Sequence, residues 1–242
     1  MNRPKPKLVA EKPEFPMRIN KYLANKKYCT RRAADKLVTE GKVLINGNTA
    51  VLGDKVVESD NVEVRFHAKR YRYFAYYKPR GIVTHSAQGE DEDEITDIVP
   101  IEGVFPLGRL DKDSYGLILL TDDGRITDAL LNPKYEHEKE YKVRCTTPLP
   151  ADFKEKMEAG IDIGSYTTKL CHVQVWADSA FSITLTEGKK HQIRKMCGVF
   201  GLNPSELQRV RIMNIKIGSL MPGAYRAIKG AELETFLKSI GF

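Results

Sequence analysis

Residues 106–120 read Pro106-Leu107-Gly108-Arg109-Leu110-Asp111-Lys112-Asp113-Ser114-Tyr115-Gly116-Leu117-Ile118-Leu119-Leu120. The two halves of this run differ in character. Leu117 to Leu120 is an unbroken apolar run, which fits a strand inside a sheet. The part before it is a glycine-bounded loop that places Arg109 and Asp111 just ahead of that strand. Loops held by a rigid strand are where reacting groups usually sit. An aspartate in a turn can equally be satisfied by nearby backbone amides, so the loop alone leaves a structural and a catalytic reading open.

Working outward, Tyr73 to Tyr77 reads as a strand closed by Lys78-Pro79-Arg80-Gly81, and Ile82 to Thr84 as another. Glu90 to Glu94 is an acidic, solvated loop, and Asp122-Asp123-Gly124 is a turn whose aspartates are structural. Arg125 to Leu131 is a helix and Glu140 to Cys145 a strand, on which Tyr141 and Val143 share one face and pack by default into the core. Asp152 to Ala159 is a helix, and Leu170 to Trp176 and Phe181 to Leu185 are paired strands. His191 to Phe200 has amphipathic helical spacing, and Ala231 to Ile240 is the closing helix. Strands dominate and the helices are scattered, so residues 73–242 are expected to form an α+β domain with a mixed, mostly antiparallel sheet.

Upstream, residues 1–16 are rich in Pro and Lys and poor in apolar groups, and read as a flexible basic tail. From Met17, the spacing of Ile19, Tyr22 and Leu23 predicts a helix. A second helix follows, with Thr30 at its N-cap and a stop at Gly41. Lys42 to Ile45 with Asn46-Gly47-Asn48 is a hairpin signal, followed by Val51 and the alternating Val62 to Phe66. Residues 17–66 are therefore a helix-helix-sheet module, and 67–72 a linker.

The chain has 242 residues, 39 Lys+Arg and 32 Asp+Glu, a net charge of +7. The excess is local: residues 1–72 carry 17 basic and 8 acidic side chains, and residues 73–242 carry 22 and 24. A +9 segment on a −2 body suggests an anchor for a polyanion beside a separate working domain. Within it, Arg31, Arg32 and Lys36 stand on one helix, with Arg18, Lys21, Lys26, Lys27 and Lys42 nearby. A solvated face would explain them. Arginines in the first helical turn, however, oppose the macrodipole, and a one-sign cluster suits phosphates.

With 41% hydrophobic residues, a chain of this size can bury about 70% of its unfolded surface, which argues against global disorder. No apolar run approaches the ~18 residues of a membrane span. Met1 to Ala10 lacks the apolar region of a secretory signal. The four cysteines (Cys29, Cys145, Cys171, Cys197) are far apart, which argues for reduced thiols and a cytoplasmic location rather than a zinc site or a disulfide framework.

The run from Met17 to Ala50, MRINKYLANKKYCTRRAADKLVTEGKVLINGNTA, resembles the alpha-L RNA-binding domain named after the fourth small-subunit ribosomal protein. The resemblance covers about 17–64 and implies binding to structured RNA, mainly through its backbone. GRLD at 108–111, EKEY at 138–141 and HQIRKM at 191–196, in that order, are similar to the pseudouridine synthase family, whose rRNA members carry that module at the N-terminus. The longer matches GRLDKDS, HEKEY and RVRIMN favour large-subunit rRNA members. The resemblance implies a pseudouridine synthase fold and a catalytic role for Asp111. It further implies that Arg109 helps turn the uridine out of the RNA, that Tyr141 stacks on the base, that Ile193 packs on its other side, and that Arg194 pairs with the carboxylate. Ser114 stands where many members have Thr, and Tyr115 where Glu or Gln is frequent. Lys189, Lys190 and Lys195 are expected to be backbone-binding cations near Asp111.

Isomerising uridine breaks the bond from the sugar to N1, rotates the uracil and rejoins it through C5. The reaction has no net redox change, and no cofactor or metal is expected. Extruding the base costs a few kcal/mol, about what stacking on Tyr141 returns. A buried carboxylate is held back from ionising, and an adjacent Arg194 opposes that. The expected partner is ribosomal RNA, large-subunit rRNA favoured, with assembly particles or a transfer RNA as further candidates; the chain is expected to be a monomer. Two alternatives stay open: a non-catalytic RNA-binding or ribosome-assembly protein, and a two-metal phosphodiesterase built on Asp111, Asp113, Asp122 and Asp123.

Overall fold

A computed structural model of the protein describes residues 14–65, 70–85 and 93–242. Most of the expected basic tail, Phe66, residues 67–69 of the expected linker and residues 90–92 of the acidic stretch lie outside the described residues. The chain divides into two compact units between residues 69 and 70.

The smaller unit runs β1 (Met17–Arg18), α1 (Ile19–Asn25), α2 (Arg31–Thr39), β2 (Val43–Ile45), β3 (Asn48–Thr49), β4 (Lys55–Val56) and β5 (Val62–Val64). The Thr30 hydroxyl caps α2 by accepting the Ala33 amide at 3.2 Å, which satisfies one of the free donors of the first turn. Gly41 leaves the helix at φ 67°, a left-handed exit that glycine makes at no steric cost. The β2–β3 hairpin pairs Ile45 with Asn48 across Asn46 and Gly47, both at positive φ (51° and 82°), as a two-residue turn of the primed type requires. Ile19, Leu23, Ala34, Val38 and Val43 form the core, with Phe15 packed against it. Phe15, expected in the tail, thus belongs to this unit because its ring has apolar area to bury. Val51, expected to follow the hairpin as strand, is 61% exposed outside any strand.

The larger unit contains β6 (Tyr73–Lys78), α3 (Ile95–Ile98), β7 (Phe105–Leu107), β8 (Tyr115–Thr121), α4 (Ile126–Leu131), β9 (Lys139–Cys145), α5 (Phe153–Glu158), β10 (His172–Ala177), β11 (Ala180–Leu185), α6 (Gln192–Val199), β12 (Pro204–Ile212), β13 (Ile215–Lys216), β14 (Tyr225–Ala227) and α7 (Gly230–Ser239). Its nine-stranded sheet has the order β10-β11-β9-β12-β8-β6-β14, with β13 beside β12 and β7 beside β8. Among the described strands only β12 and β8 run parallel, so the α+β class and the mixed, mostly antiparallel sheet are as the sequence indicated. Ile82 to Thr84 forms no strand. Val83 makes a single bridge to Glu94, and Thr84 is committed to the loop described below.

The parallel contact fixes the centre of the sheet. Arg209 of β12 lies opposite Gly116 of β8 and opposite Tyr141 of β9 on its other side. Gly116 has φ 106°, and a Cβ there would stand 2.3 Å from the Arg209 carbonyl oxygen, which is backbone that cannot swing aside. Glycine is required both by the dihedral and by the approach. The motif glutamates also find a partner across this pairing: Arg211 of β12 bonds Glu140 at 2.8 Å and Glu138 at 3.1 Å. Gly116→Ala is therefore expected to lower unfolding free energy by about 3 kcal/mol or more, measured by urea denaturation. A drop below about 1 kcal/mol would show that the strands can part without strain.

Candidate active site

The loop from Arg109 to Asp113 lies between β7 and β8 and is tied down residue by residue. The Arg109 carbonyl accepts from Arg209 Nη1 at 3.3 Å. Thr84 Oγ1 accepts the Leu110 amide at 3.0 Å and donates to its carbonyl at 2.7 Å. The Lys112 carbonyl accepts from the Gly81 amide at 2.9 Å and from Lys78 Nζ at 3.3 Å. The Asp113 carbonyl accepts from Arg194 Nη2 at 3.4 Å. Carbonyl groups of the residues on both sides of Asp111 are held in this way, two of them by buried cations.

Those cations are unusual for their depth. Lys78 is fully buried, and its ammonium also donates to the carbonyls of Ile82 (2.7 Å) and Pro79 (2.9 Å). Three acceptors match its three donors, which is how a buried ammonium is tolerated. Arg209 is 3% exposed; its Nε donates to the Leu117 carbonyl at 2.7 Å, and its Nη2 has no partner among the described residues. Burial first, and then Arg209, push the Lys78 ammonium down from 10.5 to about 8. Lys139 is pushed down to about 8 in the same way.

Above this floor opens a cavity of about 760 Å³ whose lining includes Arg109, Asp111, Lys139, Tyr141, Lys189, Lys190, His191, Ile193, Arg194 and Arg209. Tyr141 (9% exposed) and Ile193 (6%) belong both to the core and to this lining, so the packing role and the site role expected for Tyr141 coexist. The structure thus brings together Asp111, Arg109, Tyr141, Ile193, Arg194, Lys189 and Lys190. Lys195 is exposed on α6 and does not line the cavity.

Arg194 departs from expectation. Its guanidinium donates to the carbonyls of Pro204 (3.0 Å) and Asp113 (3.4 Å), and among the described residues it makes no ion pair with Asp111. The partner of the Asp111 carboxylate is instead His191, whose Nδ1 lies 3.1 Å from Oδ2. Asp111 is also less buried than the desolvation argument assumed, with its side chain 36% exposed.

The start of α6 is anchored by Glu187, 4% exposed. Its carboxylate accepts from the Tyr166 hydroxyl, the Lys169 amide (3.0 Å) and Gln192 Nε2 (2.6 Å). Asp122 and Asp123 point elsewhere, Asp122 to Arg72 and Asp123 to Tyr73 and Arg125. Among the described residues, no three His, Cys, Asp or Glu side chains gather as a metal would require. The sequence patterns assign no role to Lys78, Lys139, Thr84, His191 or Arg209. The Lys78-Pro79-Arg80-Gly81 turn after a strand was the signal available for the first, and HQIRKM contained the fourth.

In the smaller unit Arg18, Lys21, Arg31, Arg32, Lys36 and Lys42 are all exposed. Lys36 and Lys42 share Glu40 at 3.8 Å and 2.7 Å, whereas Arg18, Lys21, Arg31 and Arg32 make no ion pair among the described residues.

Two family profiles match the chain: RNA pseudouridylate synthase over residues 72–198 and the S4 domain over residues 17–62. The chain belongs to the RNA pseudouridine synthase family. It is 38% identical over 234 residues to the dual-specificity RNA pseudouridine synthase RluF of Escherichia coli (strain K12), covering 94% of this chain and 81% of that protein. It is 31% identical over 230 residues to ribosomal large subunit pseudouridine synthase B of Bacillus subtilis (strain 168), covering 90% and 94%. A crystal structure of a pseudouridylate synthase superposes with a TM-score of 0.67 at 26% identity, over 93% of this chain and 99% of that one. The pseudouridine synthase fold and the N-terminal S4 domain expected from the motifs are thus present, and the chain is an RNA-binding isomerase of this family. No helix of the described residues is long and apolar enough to cross a membrane.

Buried Lys78 and half-buried Lys139 set a pH dependence of stability. With the folded value near 8 and the unfolded one near 10.5, the unfolded state holds the proton more tightly in between. Relief of the buried charge therefore stabilises the fold as pH rises from 8 towards 10. Each lysine contributes a slope of up to about 1.4 kcal/mol per pH unit. The stability advantage of Lys139→Met over wild type should shrink at about that slope between pH 8 and 9.5 in urea titrations. A constant difference would place the Lys139 titration outside this window.

Proposed function

We propose that this protein converts uridine to pseudouridine at a defined position of large-subunit ribosomal RNA, with Asp111 as the reacting carboxylate. The observation that carries the reading is the loop 109–113: its backbone is held on both sides of Asp111, at the rim of a cavity walled by Tyr141 and Ile193. A flipped base is unpaired and flat, and an aromatic ring facing an aliphatic side chain is the wall chemistry it needs. The name of the relative called ribosomal large subunit pseudouridine synthase B supports ribosomal RNA as the substrate.

In this reading the RNA enters over Arg109, which is exposed in the loop and fills the space the extruded uridine leaves. Tyr141 stacks on the uracil and Ile193 closes its other face. Lys189 and Lys190 meet the flanking phosphates. The N1–C1′ bond breaks, the uracil turns within the cavity, and the C5–C1′ bond forms. C5 gives up its proton and N1 acquires one, so atoms and electrons balance with no oxidant or carrier. Asp111 is the group placed to act on the sugar or base during this exchange. The smaller unit holds the RNA through Arg18, Lys21, Arg31 and Arg32, with Lys36 and Lys42 at the edge of the patch.

Asp111→Asn should bind rRNA as wild type does while tritium release from 5-tritiated uridine in an rRNA transcript falls to background. Release at the wild-type rate would overturn the assignment of Asp111. Changing Arg31 and Arg32 together to Ala should flatten the dependence of log Kd on log salt by about 0.7 to 0.9 for each phosphate that the helix no longer neutralises. An unchanged slope would mean that this helix does not meet the backbone.

A further inference from the structure

The restraints on loop 109–113 act on its backbone and leave the side-chain torsions of Asp111 free. Among the described residues one group addresses the carboxylate itself: His191, with Nδ1 3.1 Å from Oδ2. His191 immediately precedes α6 and sits at φ 53°, ψ 30°, a left-handed conformation that is strained for a residue with a Cβ. The residues that follow it are held in place. The Lys195 amide donates to the His191 carbonyl at 3.0 Å, and the next residue, Gln192, is 4% exposed and bonded to Glu187 Oε1 (2.6 Å) and the Lys189 amide (2.9 Å). Backbone strain held in place at the cavity wall is a second observation, separate from the hydrogen bond.

We propose that His191 is the positioning residue for Asp111. Its Nδ1–H donates to Oδ2 and fixes the carboxylate rotamer, which leaves the lone pairs of Oδ1 uncommitted and turned to the extruded nucleotide. The work the resemblance implies for one arginine is divided here between two residues. Arg194, engaged with the carbonyls of Pro204 and Asp113, steadies the loop backbone, and His191 steadies the carboxylate. Both His191 and Asp111 remain partly exposed, at 44% and 36% of their side chains, so RNA docking over them would remove competing water and strengthen the contact. The inference rests on the reading of Asp111 as the reacting carboxylate.

The left-handed backbone dictates the variants. His191→Gly deletes the imidazole while relieving the strain, so it should melt at or above the wild-type temperature. His191→Asn tolerates the same backbone, and its amide N–H can replace Nδ1–H. With a full-length large-subunit rRNA transcript tritiated at uridine C5, His191→Gly should lower kcat about 10- to 100-fold, the scale of a misplaced reacting group. KM should stay within about twofold, and His191→Asn should recover most of the activity. A His191→Gly enzyme with wild-type kcat would overturn the proposal, as would a rise in KM at constant kcat, which would make His191 an RNA contact. Failure of His191→Asn to rescue a well-folded protein would also overturn the positioning role. Asp111→Asn run in parallel separates the two levels. If it is inactive while His191→Gly is normal, only the His191 proposal falls; if it is active, the reading of the site falls with it.

Discussion

The larger unit depends on two cations kept out of water, Lys78 and Arg209. Neither pairs with a carboxylate among the described residues. Their charge is directed at backbone carbonyls: those of Pro79, Ile82 and Lys112 for the ammonium, those of Leu117 and Arg109 for the guanidinium. Hydrogen bonds from charged donors contribute about 1.5–3 kcal/mol each where neutral ones give about 1, and cations buried without a salt bridge need that strength. The geometric consequence is a loop bonded to the strand framework on each side of Asp111. A loop with free carbonyls would wander by more than reaction geometry tolerates. Burial first, and then the charge of Arg209, make Lys78 and Lys139 give up protons more readily than exposed lysines do.

The parallel pairing of β12 with β8 puts Arg209 in place, and that pairing depends on Gly116. The glycine admits the Arg209 backbone at a separation no side chain could share. Close by in sequence, Ser114 begins the turn out of the loop, its amide donating to the Asp111 carbonyl at 3.0 Å. The glycine that permits the sheet centre and the aspartate that faces the cavity are thus five residues apart on one continuous stretch, and the apolar run Leu117 to Leu120 that follows is buried on both sides. The stretch 106–120 reads as a loop on a strand because one packing solution needs both parts.

Features decided within a few residues were legible in advance: the Thr30 cap, the Asn46-Gly47 turn, the glycine-bounded loop, the strands carrying Tyr73 to Tyr77 and Glu140 to Cys145. Features decided by pairing were not. β12, the nine-residue strand at the sheet centre, went unread because Pro204, Glu206, Gln208, Arg209 and Arg211 break the apolar alternation that marks a strand. The two arginines bond across the sheet, Arg211 to Glu138 and Glu140 and Arg209 to the Arg109 loop. Ile82 to Thr84 has β-branched strand composition, yet Thr84 is used for its hydroxyl, which holds Leu110 at both backbone groups. The site was legible in its membership and less so in its wiring. Asp111, Tyr141, Ile193 and Arg194 do meet at one cavity, but the partner of the carboxylate is set by where α6 begins. A left-handed His191 brings an imidazole to Oδ2 while Arg194, three residues on, reaches the loop carbonyl instead.

The two units differ in how their basic side chains are used as well as in how many they carry. In residues 73–242 many basic side chains are already committed: Lys78 and Arg209 to carbonyls, Arg125 to Asp123, Arg211 to Glu138 and Glu140, Arg226 to Glu232. In the smaller unit, Arg18, Lys21, Arg31 and Arg32 stand exposed without an ion pair among the described residues. Exposed, uncommitted cations exchange counterions for phosphates, which gives affinity without sequence preference. Buried, committed cations shape a cavity and set its potential. One residue type therefore serves two purposes in one chain, and what separates them is access to water.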